Sequence, residues 1–68
     1  MTLEQLNRVI GKMMAMVKGA KGDRKFFLGR ALGWLNTARA FLRKGRPNAC
    51  TAAINAARAD VAIARCAI

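Results

Sequence analysis

The chain has 68 residues, room for one small domain and no second one. Thirteen Lys and Arg against three Asp and Glu give a net charge of +10, with no His and no Tyr, and apolar residues make up 54%. That apolar share is too high for a disordered basic tail. General acid–base chemistry needs an imidazole or a tuned carboxylate, and only Glu4, Asp23 and Asp60 are available, so a non-enzymatic binder is expected.

The first segment with helical periodicity runs over about residues 3–18. Thr2 and Gln5 have the spacing of a capping box, in which each side chain accepts from the other's backbone N–H. Glu4 falls in the first turn, where the helix dipole favours negative charge. Leu3, Leu6, Val9, Ile10, Met13, Met14 and Val17 share one side of the wheel, and Glu4, Asn7, Arg8, Lys12 and Lys18 the other. Gly19 is expected to stop this helix in a left-handed conformation.

A second helix is expected over 24–44, with Asp23 as its N-cap and Gly45 closing it. Phe27, Ala31, Trp34, Leu35, Ala38, Phe41 and Leu42 line its apolar face, with Leu28 and Leu32 at the edge, and Trp34 is expected at the centre of the core. Phe26 lies off that face. Gly29 and Gly33 form a G-x-x-x-G. Each glycine costs about 1 kcal/mol against Ala inside a helix. Close approach of another helix, within or between chains, is the expected offsetting benefit.

The third helix is expected over 48–66, where Pro47 or Asn48 supplies a preferred start. Cys50, Ile54, Ala57, Val61 and Ala64 make one apolar face. Ala52, Ala56, Ala59 and Ile63 make a second, and Asp60 is the exception to a largely apolar surface. A helix apolar on more than one side asks for burial on more than one side. The fold expected is all-α, a small three-helix bundle, with a homodimer formed through the glycine face (Gly29, Gly33) or the second face of the third helix (Ala52, Ala56, Ala59, Ile63).

Residues 34–62 resemble one tetratricopeptide hairpin, with Trp34, Ala38 and Phe41, then Gly45, then small or apolar Cys50, Ile54 and Ala57. The chain departs from that pattern at Thr37, where a large apolar residue belongs, and at Ala62, where a helix-ending Pro belongs. Arrays of that type need about three repeats for stability, so the resemblance implies helical-hairpin packing rather than a repeat array.

Cys50 and Cys66 lie sixteen residues apart on one helix, roughly 24 Å along its axis. An intrachain disulfide is therefore excluded if the helix is intact. Both are expected to be buried apolar side chains, and no metal or cofactor is expected. No stretch reaches the ~20 apolar residues of a membrane span, and the start of the chain lacks the features of a signal peptide. A cytoplasmic location is the expectation.

The basic residues carry most of the functional signal. Lys18, Lys21, Arg24 and Lys25 gather around the first loop, and Arg43, Lys44 and Arg46 around the second, with Arg30 and Arg39 between. Loops at opposite ends of a bundle stand roughly 30 Å apart. Such a spread suits a phosphate backbone, where each neutralised phosphate releases counterions. Nucleic acid is the expected partner. The short turn Gly45-Arg46-Pro47 also admits a helix-turn-helix, in which Asn48, Thr51, Asn55 and Arg58 would face bases. The alternative is a small protein-binding regulator or phage-type inhibitor, docked on an acidic or hydrophobic surface of a larger protein. A cationic membrane-surface binder comes third.

Overall fold

In a computed structural model, residues 2–66 are described and form three α-helices: α1 (Leu3–Gly19), α2 (Gly22–Arg43) and α3 (Pro47–Cys66). The capping box forms as expected. The Gln5 N–H donates to Thr2 Oγ1 at 3.2 Å, and the Thr2 N–H donates to Gln5 Oε1 at 2.9 Å.

The first break differs from expectation. α1 runs through Gly19, and the chain leaves it by extended Ala20, whose N–H donates to the Val17 carbonyl at 3.3 Å. The left-handed residue is Gly22, at φ +63°, and it opens α2. Lys21 rather than Asp23 occupies the N-cap, without a side-chain cap hydrogen bond. Gly22 turns the chain into the helix by backbone freedom alone, which moves Asp23 into the first turn beside the positive end of the dipole.

The second break follows its sequence closely. α2 ends at Arg43, and Gly45 adopts φ +72°. The Gly45 N–H donates to the Leu42 carbonyl at 3.2 Å and the Arg46 N–H to the Phe41 carbonyl at 2.9 Å. This pair of bonds is the Schellman arrangement that satisfies the last carbonyls of a helix. Pro47 then opens α3, where its missing N–H costs nothing.

α2 is the central helix and packs against both others, whereas no Cα of α1 comes within 8 Å of one in α3. A single core joins Leu6, Ile10 and Met13 of α1, Leu28, Ala31, Leu35 and Ala38 of α2, and Cys50, Ala53, Ala57 and Ala64 of α3. The buried residues of α3 are small, so α2 and α3 approach closely. Arg30 stands thirteen residues before the end of α2 and Asp60 thirteen after the start of α3, yet their side chains are 3.7 Å apart. Equal arms of that length meet only if the two helices run antiparallel. The steep crossing of a helix-turn-helix would part them by tens of ångströms, so that version of the sequence reading is corrected here.

Trp34 is also corrected. It is 40% exposed, and Leu28, assigned to the edge, is 2% exposed. The alanine face of α3 leaves no space for an indole between it and α2. The buried arc of α2 is instead made of Leu28, Ala31, Leu35 and Ala38, and Trp34 lies outside it. Leu3 and Met14 of α1 are exposed as well. On the second apolar face of α3, Ala52, Ala59 and Ile63 are exposed and Ala56 is half-buried. Cys50 is buried as expected, but Cys66 is exposed, because it lies on the far side of α3 from α2.

Candidate functional site

The antiparallel order of the helices places the two basic clusters at opposite ends of a body 37 Å long. Lys18, Lys21, Arg24 and Lys25 surround the α1–α2 connection, and Arg43, Lys44 and Arg46 surround the α2–α3 connection. All seven are exposed. The end of α3 returns to the first cluster and adds Arg65, which the sequence reading did not include. The pairing of α2 with α3, seen in the Arg30–Asp60 contact, could not be read from spacing alone.

Among the described residues, only Arg8 and Arg30 have a carboxylate within 4 Å: Arg8–Glu4 at 2.9 Å and Arg30–Asp60 at 3.7 Å. Arg39 is half-buried and is held by two amides. It donates to Asn7 Oδ1 of α1 at 3.2 Å and to Asn36 Oδ1 at 3.1 Å. These bonds fasten α1 to α2 and remove Arg39 from the set of freely reaching cations. Eleven of the thirteen Lys and Arg have no carboxylate partner among the described residues.

Arg30, expected as a free link between the clusters, is instead partly occupied. Its guanidinium lies 5.9 Å from the centroid of Phe26 and beside Asp60. Phe26 is 60% exposed and packs edge-on against Phe27, with centroids 5.2 Å apart. Phe26 and Trp34 of α2 and Ile63 of α3 are exposed large apolar side chains. Gly29 and Gly33 look outward, and a Cβ built on either would meet nothing within 4 Å. Close approach within the chain therefore does not explain them, and only an approach from outside remains of that expectation.

Asp60 went unassigned in the sequence reading. It is 5% exposed, and its Oδ2 has no hydrogen-bond partner. The signal was present as a single acid among alanines, and its meaning depended on which side of α3 meets α2. Asn55 and Arg58 are both exposed on α3. Arg58 borders an open groove of about 360 Å³ between α1 and α3, and Asn55 is not among the residues lining it.

Among the described residues no group of three Cys, Asp and Glu stands together as a metal site, and no helix is long and apolar enough to cross a membrane. No protein-family model, curated protein or solved structure matches the chain.

Proposed function

We propose that this is a small, basic, non-enzymatic protein that binds nucleic acid through phosphate contacts. The observation behind the reading is the eleven cations that have no carboxylate partner among the described residues, seven of them in two exposed clusters at the ends of a 37 Å body. Net charge of +10 on so small a body repels itself, and an anionic polymer relieves that repulsion. Ends roughly 30 Å apart match about nine base pairs of duplex at 3.4 Å per step. Self-association belongs to the same reading. The exposed Phe26, Trp34 and Ile63, beside the open glycines, offer an apolar face through which two copies would present four basic ends.

A titration of labelled duplex DNA and single-stranded RNA at several salt concentrations tests it. Affinity should fall linearly on a log–log plot, with a slope of about −6 if both clusters engage duplex and about −3 if one does. Affinity that does not depend on salt, or the absence of binding at low salt, would overturn the proposal.

A further inference from the structure

The apolar floor of the groove between α1 and α3 is the feature that phosphate contacts leave unused. Val9 and Met13 of α1, Leu35 of α2 and Ile54, Ala57 and Val61 of α3 make it apolar, and Arg58 and Arg65 stand on its α3 side. No carboxylate lines it. We infer that this groove is a docking site for an amphipathic helix of a partner protein, bearing acidic residues along one flank.

The shape of the gap argues for a helix. α1 and α3 both pack on α2 and no Cα of one comes within 8 Å of the other, so the groove has helical walls on two sides and a floor at Leu35. From Ile54 to Arg65 it runs about 16 Å, three helical turns. An apolar helix face laid in such a groove anchors by side chains at three- and four-residue spacing.

Charge decides among occupants. Arg58 and Arg65 are seven residues apart, so they project from the same side of α3 about 10 Å apart. They match two carboxylates two turns apart on the incoming helix. A second copy of this chain is a poor match. It carries +10 and only Glu4, Asp23 and Asp60, of which Asp60 is buried. A phosphate backbone would satisfy the two arginines but leave the apolar floor exposed. Arg65 also borders the first basic cluster, but the apolar floor and Arg58 lie along the flank between the helices, so Ala62→Trp separates peptide docking from nucleic-acid binding.

The probe is a labelled, helix-favouring peptide of about eighteen residues with leucines at i, i+3, i+4 and i+7 and two glutamates seven apart beside them. The control peptide has lysines in place of the glutamates. Saturable binding of the glutamate peptide, and none of the lysine peptide, is expected. Arg58→Glu with Arg65→Glu, at two exposed positions, should weaken it about tenfold or more. Ala62→Trp, which fills the groove from an exposed position, should block the peptide while nucleic-acid binding persists. Equal binding of both peptides, no saturable binding, or indifference to the double reversal would overturn the inference. So would a dimer that Ala62→Trp dissociates, or DNA that competes for the groove and is lost in Ala62→Trp. Should Ala62→Trp fail to fold by circular dichroism, the double reversal alone decides.

Discussion

The Arg30 Nε lies 3.7 Å from Asp60 Oδ2, and among the described residues it is the only cation within 4 Å of this carboxylate, whose residue is 5% exposed. The arginine side chain is about half exposed, so the attraction is screened, while the carboxylate bears its desolvation without a hydrogen bond at Oδ2. Such a pair is weak evidence for stability, and breaking it from one side differs from removing both. Arg30→Ala should destabilise the fold by about 1–3 kcal/mol, because it takes the neighbouring positive charge from a buried carboxylate. Asp60→Ala should be near neutral or stabilising, and the double variant should resemble Asp60→Ala. Urea denaturation of the four proteins measures this cycle. A larger loss for Asp60→Ala than for Arg30→Ala would show that the carboxylate is itself a net source of stability.

The two basic ends should contribute separately to nucleic-acid binding. Lys25→Glu and Lys44→Glu each remove one contact and add one repulsion, so each should reduce the salt slope by about 1–2. Being far apart, they should add nearly independently in the double variant. Cellular function that survives both reversals would transfer the protein to the regulator class.

The position of Trp34 outside the buried arc of α2 has a direct consequence for mutagenesis. Trp34→Ala should cost less than Leu35→Ala, for which a loss of about 2–5 kcal/mol is expected at a fully packed site. Iodide quenching of the single tryptophan should be strong, since the ring is 40% exposed in a cationic protein. Weak quenching in the isolated protein would mean that another surface covers the ring.

Gly29 and Gly33 distinguish self-association from tolerance. In a monomer, Gly29→Ala and Gly33→Ala should each raise stability by about 0.5–1 kcal/mol, because the new Cβ meets nothing and helix propensity improves. In a dimer packed through these glycines, Leu at either position should dissociate it. Sedimentation equilibrium of the native chain and of Gly33→Leu separates the cases, and a 7.4 kDa species throughout would remove the dimer from the proposal.

The thiols should differ in reactivity. Cys66 is exposed and should label rapidly with a maleimide, while Cys50, in the core, should label only on unfolding. Cys50→Ala should cost about 1 kcal/mol through lost packing, and Cys66→Ala almost nothing.

What could be read in advance was local. Thr2 with Gln5 and Gly45-Arg46-Pro47 are signals whose partners lie within six residues, and the corresponding cap and turn formed as spacing implied. Gly19 does not take the left-handed turn because Gly22, three residues on, meets the same need at the same break. Trp34 and Asp60 were illegible for a different reason. The hydrophobic stripe of α2 gives a face some 100° wide, and only the alanine surface of α3 decides which part of it is covered. The charge clusters were visible by number, but the addition of Arg65, the diversion of Arg30 to Asp60 and of Arg39 to the asparagines all depend on neighbours distant in the chain. The groove could not be foreseen at all, since it exists because the backbones of α1 and α3 stay apart.

That separation also orders the way the molecule comes apart. α2 and α3 are joined by three residues and α1 and α2 by two, so both pairings close short loops and it is the closer packing of the alanine face of α3 on α2 that sets them apart. α1 makes its backbone approach to α2, and no Cα of α1 comes within 8 Å of one in α3. Its amides therefore belong to the least protected cooperative unit, opening at a lower free energy than the hairpin beneath it. A protease given the native protein would cut first at Ala20-Lys21, releasing the one helix whose departure leaves the remaining hairpin paired.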